Sequence, residues 1–162
     1  MTESKPLKRH PALVPLSKDH HFGLLLCWKI RTGIKKDISA ERIVKYVNYF
    51  FHDHLKPHFR EEEQHIFTLL DANDEKRLKA ELQHTQLVNL ISELSNASTG
   101  SIEKLNQLAD DLDQHIRFEE RDLFPYVQNQ LDEKELELLK NKIEDIHQYV
   151  PDEWADPFWE KK

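Results

Sequence analysis

Residues 58–67 read HFREEEQHIF and residues 115–124 read HIRFEERDLF; their correspondence decides how the chain is read. Five of the ten positions are identical, including a histidine followed four residues later by a glutamate: His58 with Glu62, and His115 with Glu119. Residues four apart lie on one face of a helix, about 6 Å from each other, so each pair points into the same space. Outward from these segments the apolar residues repeat at three and four. Val47, Phe51, His54, His58, Glu62, Ile66 and Leu69 share one stripe, and Leu105, Leu108, Leu112, His115, Glu119, Leu123 and Val127 share another. Each stripe turns from apolar to ligating and back at the same height.

The rest of the chain reads as helix too. Three glycines in 162 residues leave little room for a fold built on tight turns, and a third of the residues are charged. Pro6, Pro11 and Pro15 mark an irregular leader over 1–15. A first helix is predicted over about 17–35, capped by Ser17, with Leu16, His20, Gly23, Leu24, Cys27, Ile30 and Ile34 inward. The second runs from Ser39 to about Leu70, bent at Pro57. The third spans about 74–96, with Ala80, His84, Leu87, Val88, Ile91 and Leu94 inward, and the fourth about 101–130, bent near Pro125. A shorter helix over about 133–148 precedes a tail with Trp154, Phe158 and Trp159, expected to pack over the bundle end or against a partner chain. The expected class is all-α: an up-down-up-down antiparallel four-helix bundle over 16–130, with a C-terminal helix and tail over 131–162.

Composition removes several functions. The net charge is −7 with scattered basic residues, so nucleic acid is not an expected partner. No apolar run approaches the roughly 20 residues of a membrane span, and the N-terminus lacks the apolar core of a signal peptide, so a cytoplasmic protein without a membrane partner is expected. Cys27 is alone, which allows neither a disulfide nor a cysteine-rich metal site. The anomaly is ten histidines.

A carboxylate buried at the centre of a bundle is costly without a partner, and a metal ion resolves that cost while accepting imidazole lone pairs. His84 lies on the stripe of the third helix. On the first helix periodicity favours His20, whose positions seven and ten later are Cys27 and Ile30; His21, with leucines three and four residues on, stays as the alternative. The candidate metal ligands are therefore His20, His58, Glu62, His84, His115 and Glu119, with no separate catalytic residue. Four histidines and two carboxylates are too many for one tetrahedral zinc and suit two octahedral irons sharing carboxylates. Any one pair alone would read as a solvated His–Glu contact. His54 reads as a core histidine near the site, with Tyr46 and Tyr49 as further hydrogen-bonding candidates; Glu61, Glu63, His52, His65 and His147 read as surface, and His10 has no role.

The order Asp19-His20, His58 to Glu62, His84, then His115 to Glu119 followed by Leu123-Phe124-Pro125 resembles the hemerythrin-like (HHE) cation-binding domain over about residues 16–130. That resemblance implies Glu62 and Glu119 as bridges between two irons (Fe2+/Fe3+), with an oxo or hydroxo third bridge, and His20, His58, His84 and His115 as terminal ligands. The oxygen carriers place two histidines four apart on the third helix, whereas here His84 is flanked by Ala80 and Val88. The final carboxylate also follows its histidine by four residues instead of five. Both departures shift the expectation from oxygen transport toward handling or sensing of oxygen, nitric oxide or hydrogen peroxide, with an oxidoreductase as one form of it. The alternatives are an iron- or redox-responsive regulatory module without turnover, and an iron donor in iron-sulfur cluster repair. A monomer or weak homodimer is expected.

Overall fold

In a computed structural model describing residues 8–96 and 99–160, α1 (Val14–Lys35) starts three residues before the expected cap. Leu13 sits at its start, and Pro15 in the first turn contributes a φ already suited to a helix. Ser17 does not cap; its Oγ donates to Glu120 Oε2 at 2.8 Å. Residues 8–13 are not loose either. Ala12 and Leu13 are fully buried, Arg9 Nη2 donates to the Glu120 carbonyl at 2.6 Å, and the His10 amide donates to Gln128 Oε1 at 3.0 Å. Residues 1–7 of the expected leader lie outside the described residues.

The second rod covers 40–69 and begins where expected, with Ser39 Oγ accepting from the Arg42 amide. It is not uniform: α2 (Ala40–Phe50) passes through a π turn (Phe51–Leu55) into α3 (Lys56–Glu61), followed by a second π turn (Glu62–Ile66) and a 3-10 turn (Phe67–Leu69). Pro57 explains the first π turn. It has no N–H to donate, and its ring crowds the carbonyl four residues back, so the preceding turn widens. The third rod is α4 (Glu75–Asn96), begun by Asp74 Oδ1 accepting from the Lys76 and Arg77 amides. The fourth covers 101–130: α5 (Ser101–Phe118), a π turn (Glu119–Leu123) just before Pro125, and α6 (Phe124–Gln130). Finally α7 (Glu133–Ile146) opens with a capping box between Asp132 and Glu135. Among the described residues there is no strand, and no helix is long and apolar enough to cross a membrane.

Two apolar clusters flank a polar layer. One gathers Leu13, Leu16, Ile66, Phe67, Ala80, Leu123, Phe124 and Val127; the other gathers Leu26, Ile30, Tyr46, Val47, Leu87, Ile91, Leu105 and Leu112. In chain order, the first rod passes from the former cluster to the latter, the second returns, the third repeats the first and the fourth repeats the second. Periodicity misplaced two residues: Val88 is 38% exposed and Leu69 40% exposed, the latter because the 3-10 turn changes the helical phase.

The tail folds back on its own chain. Phe158 is buried against Gly33 and Ile43, and a Cβ on Gly33 would come within 2.7 Å of Phe158 Cε1, so this glycine makes a seat for the ring. Trp154 stacks on Tyr49 at 4.8 Å. The buried Lys29 ammonium pairs with Asp152 at 2.8 Å and lies 4.0 Å from the Trp159 ring centroid. Tyr46 donates to Asp152, and the Glu153 amide donates to Tyr49 Oη at 2.8 Å. Both tyrosines therefore hold the tail and not the polar layer.

Candidate metal centre

His20, His58, Glu62, His84, His115 and Glu119 converge in that layer, each at most 4% exposed. His21, the alternative on α1, is exposed. The geometry has two halves: His20 and His58 with Glu62 and Glu119, and His84 and His115 with the same two glutamates. Glu62 and Glu119 thus belong to both groups and lie between two pairs of histidines. Each of these glutamates is the first residue of a π turn.

Within the layer Nε2 of every histidine faces a carboxylate. His58 and His84 approach Glu62 Oε1 at 3.1 and 3.2 Å, and His20 and His115 approach Glu119 Oε1 at 3.0 and 3.1 Å. His20 Nε2 makes a hydrogen bond with Glu119 Oε1, but the other three approaches do not amount to hydrogen bonds. Nε2 of His58, His84 and His115, both Glu62 oxygens and Glu119 Oε2 are buried without a hydrogen-bond partner. Buried polar atoms are almost always satisfied, and each one left bare costs on the order of 1–3 kcal/mol. So many bare donor atoms aimed at the same two points suit cations more than a hydrogen-bond network.

The other face of each ring is fully engaged. His20 Nδ1 lies 2.8 Å from Glu120 Oε2, His58 Nδ1 2.9 Å from Asp19 Oδ2, His84 Nδ1 2.7 Å from Glu63 Oε2, and His115 Nδ1 2.6 Å from Gln83 Oε1. All four partners are acceptors, so each Nδ1 donates its proton outward and Nε2 is left as the atom that faces the layer, where His20 Nε2 also meets Glu119 Oε1. This is the arrangement by which outer partners orient metal-binding imidazoles. The partners form a closed ring around the rods. The first rod holds the histidine of the second, the second that of the third, the third that of the fourth, and the fourth that of the first.

Electrostatics follow from burial. Desolvation and the nearby Glu119 charge push Glu62 well above the usual carboxylate range. Burial would raise Glu119 as well, but contacts from His115 and His20 outweigh it and hold Glu119 well below that range. His20 and His84 are pushed up to about 9: burial opposes their charged forms, and the carboxylates around them prevail. His115 goes down, mainly by burial. Without a cation, protons occupy the layer.

Glu63, Glu120 and Gln83 are partners that sequence periodicity passed over, and Glu61 and His147 are not free surface groups. His147 lies between two carboxylates, Nδ1 2.7 Å from Glu61 Oε2 and Nε2 3.3 Å from Asp19 Oδ1, which push its pKa up to about 10. Asp19, Glu61 and His147 could themselves be taken for a metal group. However, both imidazole nitrogens are spent on opposite carboxylates, so the trio is an imidazolium bridge tying the tail to Asp19. His54 is half-buried outside the layer with Nε2 unpartnered, and His52 is exposed. Ala80 and Val88, one turn to either side of His84, add no donor.

A family model described as the hemerythrin HHE cation binding domain matches residues 18–127. No curated protein and no solved structure matches.

Proposed function

Since the chain belongs to the hemerythrin HHE cation-binding family, we propose that its buried layer holds two iron ions and presents them to a small ligand: dioxygen, nitric oxide or hydrogen peroxide. The observation that carries this reading is the sharing of Glu62 and Glu119 by two histidine pairs, with the inward Nε2 of His58, His84 and His115 and three of the four carboxylate oxygens left without hydrogen-bond partners. His20 and His58 would hold one ion, His84 and His115 the other, and the two glutamates would bridge them. Iron bound there would supply redox chemistry and open coordination positions. The chain's own work is to aim each Nε2 into the layer through the Nδ1 partners, to hold the rings by stacking Phe124 on His20 and Phe59 on His84, and to fix the spacing through the rods. The proposal takes residues 16–130 as an up-down-up-down antiparallel bundle, supported by the alternating order in which the rods cross the layer. Residues 131–162 then act as a cap.

A second reading has one observation of its own. The His147 bridge joins the tail to Asp19, which orients His58, so metal occupancy would bear on the tail and the protein would act as an iron-responsive module. One experiment addresses both. Anaerobic loading with ferrous iron is expected to reach two ions per chain, with near-ultraviolet absorption appearing on exposure to oxygen or nitric oxide. Loading well below two ions without that absorption overturns the di-iron reading. Slowed hydrogen exchange over 147–160 on loading, without peroxide or nitric oxide turnover, favours the second.

A further inference from the structure

Beside the metal layer, between α1, the second rod and the segment after α7, lies a cavity of about 180 Å³. One side opens on His20, His58 and His115. The remaining wall is largely apolar, with Phe22, Phe50, Leu55, Leu112 and Ile116. Gly23 keeps part of it open, because a Cβ there would come within 2.7 Å of Ile116 Cδ1. The roof is the run from Ile146 to Val150, pinned on one side by His147 on Asp19 and Glu61, and on the other by Asp152 on Lys29. Phe22 and Tyr149, ring centroids 6.1 Å apart, also line a neighbouring, more open depression with Pro15, Lys18 and His21. This pair stands where the chamber meets the surface.

Size separates the chamber from what a diatomic gas needs. A water-sized molecule takes about 30 Å³, while an apolar cavity of about 150 Å³ admits benzene. Oxygen, nitric oxide or peroxide would leave most of this space unfilled. Charge narrows the occupant further. Asp19, Asp53 and Glu61 lie on the wall, and the His147 cation beside them is already shared between Asp19 and Glu61, so in the metal-free protein a ligand anion gains little at the rim. His54 also lines the chamber. Its Nε2 is buried without a hydrogen-bond partner, a ring nitrogen that a neutral hydroxyl could satisfy.

We infer that this chamber binds a compact, neutral organic molecule with a benzene-sized apolar body and a single hydroxyl-type head, with the head directed toward the ligand histidines. The inference deepens the proposed function by naming a ligand class for the same site, and it rests on that reading only for what the bound molecule then does. Phenol is the probe, titrated calorimetrically into the full chain after chelator treatment and again after iron loading, with benzoate as the anionic comparison. Saturable one-to-one phenol binding is expected in both states, with benzoate at least tenfold weaker in the chelator-treated protein, where no iron is present to take its carboxylate. Leu112→Phe, which fills the chamber, should weaken phenol at least tenfold. Gly23→Ala, which pushes the Ile116 side chain, should weaken it in the same direction, so that one misfolded variant does not leave the test open. Absence of saturable phenol binding to a fully helical parent overturns the inference, as does benzoate binding as tightly as phenol to the chelator-treated protein or phenol binding untouched by both variants. Phenol binding by a protein that fails to take up two irons would sink the di-iron reading and leave the chamber standing; uptake of two irons by a protein that binds no phenol does the reverse.

Discussion

Raising the pH of metal-free protein from 6.5 to 9 tests the layer directly, because His20 and His84 behave oppositely with and without a cation. Each has its pKa raised from 6.5 to about 9 in the folded state. A histidine with a raised folded pKa stabilises fully below its unfolded value, and that contribution is lost as pH climbs through the folded one. At about 1.4 kcal/mol per unit, one such histidine is worth about 3 kcal/mol. The two lean on the same Glu62–Glu119 pair, so their contributions do not add, and a loss of about 3 kcal/mol across the window is expected. Glu62, raised by burial and by Glu119, works in the same direction, since it too resists losing its proton. His115 is lowered and works the other way, but its effect is complete by pH 6.5. In the loaded protein the metal replaces those protons and the dependence vanishes, while metal binding itself releases protons. For a chain of this length about 3 kcal/mol corresponds to a melting midpoint lower by about 6 °C or more. Thermal unfolding followed by far-ultraviolet circular dichroism, on chelator-treated and iron-loaded samples at matched pH, reads the difference. His147 titrates higher and in both samples, so it cancels. A metal-free midpoint level from pH 6.5 to 9, or falling equally in both samples, would mean that protons do not stand in for a cation at His20 and His84.

Two further perturbations separate the layer from its supports. Gln83→Ala removes the acceptor 2.6 Å from His115 Nδ1 and should weaken iron binding about 10–100-fold in chelator competition, with Gln83→Glu restoring most of it; equal affinity in all three proteins would show that His115 needs no orienting partner. Phe158→Ala empties the seat at Gly33 and should cost about 3–5 kcal/mol in urea unfolding while exposing the tail to protease, whereas a cost under about 1 kcal/mol would mean the tail is not part of the core.

The rods and their inward faces were largely legible because apolar spacing is a property of one helix at a time. His20 over His21 followed from its phase with Cys27 and Ile30, and the echo between 58–67 and 115–124 marked the height at which the stripes turn polar. Apart from Val88, which lies in the regular α4, errors fell where that phase changes or where the helix starts. The 3-10 turn rotated Leu69 outward, and Ser17, read as a cap from local rules, lies inside α1 because Pro15 lets the helix begin earlier. The two prolines expected to bend their rods are accommodated by widened turns, and a third such turn begins at Glu62 without any proline in it.

What stayed hidden was the ring of acceptors around the histidines, and the reason is geometric. Asp19, Glu63, Gln83 and Glu120 each stand one position from a candidate ligand on their own rod, about 100° around the helix, where periodicity assigns solvent. None serves its own neighbour; each reaches the histidine of the next rod. Their role therefore depends on which rods are adjacent and in which direction each runs, which the phase of a single helix does not contain. The same holds for His147, whose partners Asp19 and Glu61 are 128 and 86 positions away in the chain. A local signal does exist once the topology is assumed: every candidate ligand rod carries a side-chain acceptor next to a ligand. Reading that acceptor as a hinge between rods explains why Glu63, with its side chain 47% exposed, can matter to a buried imidazole. It donates nothing to the core by packing, yet by holding the proton of His84 on Nδ1 it leaves Nε2 bare on the side where a cation would sit.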